Sequence, residues 1–314
     1  MTCRRGIMAL LVTLIVGVGT IQSHAQEAAI TEPSDALREN FGLPSFYKKS
    51  LVTEGFPIVS SEKVSDFALR EAAYIVDQML KDRGVIRQAL VSKKVRLTIL
   101  ATIEFTCDLP ENSDLKPTAF WNVNARGYGP VPERPLVICG EENLLALQGD
   151  PYPNESSLVH ELGHAIHMMG LPTIDPTFAA RVTATFDSAK AEGLWKETYA
   201  RTDEREYWAE GVQTWFNANG YSGSLHNIIH TRSRLKPYDP RLAGLLEEAF
   251  PNNQWRYLKP KDRKKLDHLS GFDRAMAPKF EWPDEMVDAF RRYQAKQQNH
   301  NAASQRAEEF RRGF

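Results

Sequence analysis

His160-Glu161-Leu162-Gly163-His164 constrains this chain more than any other stretch. Residues four apart on a helix share one face, so His160 and His164 can hold one metal ion. Glu161, next in sequence, then sits beside the open coordination position, where it can take a proton from bound water. Two imidazoles with a neighbouring carboxylate suit Zn²⁺, which lowers the pKa of that water toward neutrality. The spacers Leu162, Ala165 and Ile166 give the helix an apolar face to bury. It is expected to begin at Asn154 or Ser156, after the turn-forming Asp150-Pro151-Tyr152-Pro153, and to end near Gly170. Glycine suits the left-handed conformation past a helix end, and Pro172 follows.

A zinc site of this kind needs a third protein ligand. His167 lies seven residues after His160 on nearly the same face, but it emerges about 10 Å further along the axis. It therefore reads as a neighbour of the site or a packed histidine. Its position also breaks the HExxHxxGxxH arrangement, since His167 stands where that pattern has Gly and Gly170 where it has the last His. The better candidate lies downstream, where Glu206, Glu210, Gln213 and Asn217 form a polar stripe among Tyr207, Val212, Trp215 and Phe216. Such a stripe faces solvent or lines a site. The missing carboxylate favours the second, with Glu206 as ligand and Glu210, one turn on, accepting a histidine N–H.

At these residues, HELGHAIH (160–167) and YARTDEREYWAE (199–210), the chain resembles the gluzincin-type zinc peptidases of the anthrax lethal factor catalytic-domain family. The resemblance covers 152–217. It implies an α+β, mostly helical zincin-like domain, with a small mixed sheet next to the HExxH helix. It implies Zn²⁺ on His160, His164 and Glu206, and it gives Tyr199 the task of polarising the scissile carbonyl. The family's substrates do not transfer with it.

The rest of the chain fits an exported enzyme. Arg4 and Arg5 precede an apolar run over 7–21, and Ser23-His24-Ala25 supplies small residues for signal cleavage after Ala25. The run is shorter than the roughly 20 residues that span a bilayer, so no permanent anchor is expected. The mature chain is then secreted or periplasmic, and Cys107 and Cys139 are a candidate disulfide or two buried thiols. With 314 residues, 42% of them hydrophobic, and a formal charge of −1, the chain carries no dense basic block, which argues against nucleic acid as partner. The expected organisation is a signal over 1–25, a metallopeptidase domain over 26–260, and a charged helical or partly disordered extension over 261–314.

Helices are expected over 61–83, closed by Gly84, and over 175–192, 203–218, 239–250 and 283–293. A half-exposed strand is expected over 95–105, a short strand over 136–139, and a long loop with an aromatic patch at Phe120-Trp121 over 108–135. The segments 125–129 and 140–145 read as a substrate-side strand and loop, or as structural turns. Gly140-Glu141-Glu142-Asn143 also loosely matches the loop by which zinc aminopeptidases grip a free amine. His226 and His230 read as loop or core residues, Arg232, Arg234, Tyr238 and Asp239 as surface or helix-capping residues, and His268 and His300 as parts of the charged tail. The reading is a secreted zinc endopeptidase acting on peptide or protein substrates, with Glu161 as general base. The alternatives are a zinc aminopeptidase and a secreted binding protein with a structural metal. Structural zinc is normally closed by four protein ligands, which would leave Glu161 idle, so the intact Glu161 favours catalysis.

Overall fold

Valine, isoleucine and leucine at 95–100 and 136–139 build the centre of a five-stranded sheet. The computed structural model describes residues 29–220 and 228–312. Its strands are β1 (Lys49–Thr53), β2 (Phe56–Ser60), β3 (Arg96–Leu100), β4 (Gly127–Tyr128) and β5 (Leu136–Gly140), in the order β1-β2-β3-β5-β4. β2, β3 and β5 run parallel, whereas β1 and β4 lie antiparallel at the two edges. The helices are α1 (Asp35–Phe41), α2 (Asp66–Met79), α3 (Gly84–Ser92), α4 (Thr118–Asn124), α5 (Glu141–Leu144), α6 (Ser157–Ala165), α7 (Leu171–Ile174), α8 (Phe178–Ala191), α9 (Glu204–Trp215), α10 (Arg232–Tyr238), α11 (Pro240–Ala249) and α12 (Asp284–Arg312). The domain is thus α+β and mostly helical, with a small mixed sheet beside the motif helix α6.

Successive side chains of a strand point to opposite faces. Leu97, Ile99, Val137 and Cys139 face the main core with α2 and α6, while Leu100, Leu136 and Ile138 meet Leu109 and Tyr128 on the other side. This corrects the half-exposed strand expected over 95–105. β3 lies between two parallel neighbours with both faces covered, the usual lot of a parallel strand, and all five of its residues are buried. Its polar residues are paired instead of solvated. Arg96 meets Glu111 at 2.5 Å, and Thr98 meets the Tyr47 hydroxyl at 3.3 Å.

Other boundaries also move. α2 ends at Met79, Asp82 takes the left-handed turn conformation at φ 58°, and Gly84 opens α3 instead of closing the preceding helix. The aromatic patch expected in a loop sits on α4. Cys107 and Cys139 are free thiols, not a disulfide. Cys139 belongs to the core on the α6 side of the sheet, whereas Cys107 lies against the Leu115 and Thr118 carbonyls in the chain beyond β3. The signal segment 1–25 with Cys3, and His226, lie outside the described residues. Among the described residues no helix is long and apolar enough to cross a membrane.

The chain past Pro260 is tied to the body instead of extending from it. The Arg263 guanidinium straddles the fully buried Glu71 carboxylate at 2.5 and 2.9 Å, and His268 reaches the same group at 2.8 Å while stacking on Tyr74. Phe280 is buried and its N–H donates to the Gln148 carbonyl. From Asp284 on, α12 rests Phe290 and Tyr293 against Phe120, while most of its other side chains up to residue 298 are exposed. Removing one partner of a buried ion pair strands the other, which costs about 3–5 kcal/mol. Glu71→Ala is therefore expected to lower the unfolding free energy in urea by about that amount, and a change within experimental error would show that the strap is not structural.

Candidate metal centre

Three local devices aim the motif residues. Ser156 caps α6 by accepting the Val159 N–H, and Asn143 Oδ1 accepts the Ser157 N–H at 2.9 Å. Asn143 is itself held in a buried set with Asp150 and Lys259, whose ammonium lies 2.8 Å from Asp150. Asp203 caps α9 through the Arg205 and Glu206 N–H groups, both at 2.9 Å, which fixes Glu206 in the first turn, where the helix dipole favours a carboxylate. The two helices then meet at Gly163, where an added Cβ would stand 3.2 Å from Val212.

The motif helix does not end at Gly170, as the sequence suggests. It widens into a π-helical turn at Ile166–Gly170 and continues into α7, with Gly170 in right-handed helical conformation and Pro172 early in the next segment. The Trp208 indole donates to the Gly163 carbonyl at 3.0 Å. An indole inserted at this point gives that carbonyl a partner outside the helical ladder, a recognised cause of such widening. Gly170 serves close packing here, since a Cβ would lie 3.2 Å from Ile86.

His160 Nε2, His164 Nε2 and Glu206 Oε2 converge. His160 Nε2 lies 3.0 Å from both others, and His164 Nε2 lies 3.4 Å from Glu206 Oε2. Donors about 2.0–2.2 Å from one tetrahedral ion stand about 3.3–3.6 Å apart, close to this triangle. The protons agree with that fit. Gln213 Nε2 donates to Ser156 O at 3.1 Å, which turns its Oε1 toward His160 Nδ1 at 2.9 Å. Nδ1 then faces an acceptor, which leaves Nε2 as the nitrogen turned toward Glu206 and His164, the one a metal would take. Two imidazoles and a carboxylate converging on one point call for a shared cation, a proton or a metal ion. Burial pulls the His160 imidazole down, yet Glu206, Glu161 and Glu210 outweigh it and raise the group to about 10. Burial opposes the Glu206 charge too, but the contacts with His160 and His164 hold its carboxyl well below the usual range. The donor set fits a divalent metal.

Glu161 has a carboxylate oxygen within 4.8 Å of the two histidine donor atoms. Glu206 is closer, so it is the better ligand, and Glu161 stands beside the triangle. Burial pushes the Glu161 carboxyl upward against the pull of the two histidines, the direction that suits a base working near neutrality. Tyr199, in a short turn before α9, brings its ring 6.2 Å from that of His160 and its hydroxyl to Glu206. Burial and that carboxylate raise its pKa far above the ordinary value, so it remains a proton donor.

One expected role changes, and of the two readings of His167 the packed one fits. The stripe on α9 suggests Glu210 as the group that orients a histidine, but its nearer oxygen is 3.8 Å from His160 Nδ1, and its other oxygen accepts from Asn219 at 2.8 Å. Gln213 holds His160 instead. It lies on the same polar stripe, seven residues after Glu206, and that spacing is the signal the sequence offers for it. His167 does not touch the ligands. Its ring lies 5.8 Å from Trp208, both ring nitrogens lack a hydrogen-bond partner among the described residues, and burial lowers it to about 4.

The segment 140–145 is no substrate loop. Glu141 accepts the Ser65 and Thr102 N–H groups, and Glu142 pairs with the buried Arg126 at 2.7 Å. The side chains of Glu141, Glu142, Asn143 and Leu144 are all buried, which removes the amine-gripping loop of the aminopeptidase alternative. The segment 125–129 does border the site. A Cβ on Gly127 would stand 2.7 Å from Glu161 Oε1, and one on Gly129 would stand 2.8 Å from His164 Cβ, so only glycine lets edge strand β4 lie this close. Asn217 accepts the Arg232 N–H, Arg232 is buried over Trp215 instead of being exposed, and Asp239 caps α11 as expected. His230 meets the Ile228 carbonyl, away from this centre.

No family model and no curated protein matches the sequence. A solved structure similar to the chain is the PRO-PRO endopeptidase (PPEP-2) from Paenibacillus alvei, 20% identical, covering 62% of this chain and 97% of that one at a TM-score of 0.40. Groups that orient a metal-binding histidine are worth about 10–100-fold in metal affinity. Gln213→Leu is expected to weaken metal binding by about that factor in chelator competition, and by more than Glu210→Gln does. The reverse order would return the orienting role to Glu210.

Proposed function

We propose that this chain is an exported zinc-dependent endopeptidase, with His160, His164 and Glu206 as metal ligands and Glu161 as general base. The observation that carries the reading is the triangle of His160, His164 and Glu206 donors lining an open cleft with Glu161 beside it. A structural zinc closed by four protein ligands would have no use for a base at the mouth of a cleft. When bound, zinc supplies Lewis acidity, lowering the pKa of a water and polarising a carbonyl. Glu161 takes the proton of the attacking water and passes it to the leaving amine. Tyr199, held in its protonated form, donates a hydrogen bond to the developing oxyanion, the point of largest charge change. β4 is an edge strand, so an extended peptide can add to it through backbone hydrogen bonds and lie across Glu161 and His164. That mode of binding needs no free amine, which favours an endopeptidase over an aminopeptidase. The site of action outside the cytoplasm rests on the leader over 1–25 alone.

Glu161→Gln keeps the size of the side chain and removes the base. It is expected to bind one zinc per chain by metal analysis and to lose hydrolysis by about 10²–10⁴-fold. Amine-blocked peptides are expected to be cleaved by the wild-type protein. Full activity in the glutamine variant would remove Glu161 from the mechanism, and cleavage confined to free-amine peptides would restore the aminopeptidase.

A further inference from the structure

The residues lining the cleft differ along its length. On one side of the His160-Glu161 pair its wall is polar, made by Tyr152, Glu155, Ser157, Glu210 and Gln213. On the other side, reached past His164, Phe120, Trp121, Tyr128, Pro130, Val131 and Met168 line it together with Arg205 and Glu206. This part of the cleft, His160, Glu161, His164 and Glu206 included, is a cavity of about 400 Å³, room for a large side chain. Half-exposed aromatic rings grouped in a cleft are the kind of surface that an apolar group of a ligand covers.

These rings touch one another in series. Tyr128 of β4 meets Trp121 edge-on at 5.7 Å, and Trp121 meets Phe120 at 5.6 Å. Phe120 meets Tyr293 at 5.5 Å and Phe290 at 6.4 Å, both from α12. Centroids at these separations are in the range of favourable aromatic pairs. α4 is only seven residues long and presents these rings to the cleft from one side while α12 backs it from the other. The outer helix, expected from the sequence over 283–293, therefore supports a wall of the cleft.

We infer that Phe120, Trp121 and Tyr128 form the specificity-determining subsite, which takes a large apolar side chain next to the scissile bond, and that Phe290 and Tyr293 of α12 hold this subsite in position. The inference rests on the peptidase reading above. A peptide added to β4 passes between the polar wall and the aromatic rings, so one of its side chains is directed at those rings. Removing one ring opens the subsite, and removing its α12 supports lets α4 shift. Both changes weaken selection for the apolar residue without touching the metal ligands or Glu161.

The test is the ratio of kcat/KM for two peptides that differ only at the selected position, leucine or phenylalanine against alanine. The position is found first by profiling a peptide library with the zinc-loaded wild-type protein. Trp121→Ala is expected to lower that ratio about tenfold or more, since one methylene in a hydrophobic pocket is already worth about 10–200-fold and an indole is far larger. Phe290→Ala/Tyr293→Ala is expected to lower it in the same direction through KM, with zinc content and Tm as controls for folding. An unchanged ratio in either variant, or no apolar selection at any position, overturns the inference. If no peptide is cleaved, leucine and glycine hydroxamates bound to the zinc-loaded protein give the answer. Tighter binding of the leucine compound that Trp121→Ala abolishes supports the subsite and counts against the peptidase reading alone, whereas equal binding overturns the subsite.

Discussion

The approach of α6 to α9 at Gly163 governs the centre. A Cβ there would press on Val212, so the two helices are as close as a glycine allows, and the Trp208 indole pins them through the Gly163 carbonyl. At that separation the side chains of α9 arrive at the two histidines in order, Glu206 at Nε2 of both and Gln213 at Nδ1 of one. Move the helices apart by a side-chain thickness and Glu206 no longer reaches either imidazole. The Trp208 contact also places the π-helical widening just beyond His164, where the helix turns away toward α7.

The sheet serves the same centre from the other side. β5 leads into α5 and the buried Asn143, which fixes the first turn of α6, and β4 lies along the motif helix because Gly127 and Gly129 lack side chains. The buried Arg126, directly before Gly127, is anchored to Glu142 and to the Ala101 carbonyl, which ties the edge strand to the end of β3. The cleft is thus bounded by the histidines of α6 on one side and by a strand edge on the other, with Phe120, Trp121 and Tyr128 at one end.

Much of this was legible in the sequence where one local rule suffices. The spacing of His160 and His164, the polar stripe of α9 and the periodicity of α2, α8 and α11 each express a helical face, and each helix is present within a few residues of its expected bounds. What sequence spacing does not carry is the identity of the neighbour across a tertiary contact. Glu210 and Gln213 lie on one stripe, and only the pitch of α9 against α6 decides that the amide, not the carboxylate, meets His160 Nδ1. Arg96 and Thr98 mark an exposed strand face until Tyr47 and Glu111 are folded over them. Gly84 and Gly170 read as helix terminators, yet one opens α3 and the other sits inside a continuing helix because Ile86 and Leu90 pack against it. The tail past Pro260 reads as solvated charge, and the partner that orders it, Glu71, lies almost two hundred residues earlier.

The central claim is that two imidazoles and one carboxylate hold a single zinc ion with a coordination position left open. X-ray absorption at the zinc edge of the loaded protein measures that shell directly. The account predicts two imidazole nitrogens at about 2.0–2.1 Å and oxygen ligands at about 2.0–2.2 Å, with one of the oxygens lost or replaced in Glu206→Ala. A shell containing sulfur, a single imidazole or three imidazoles, or one left unaltered by Glu206→Ala, would contradict it.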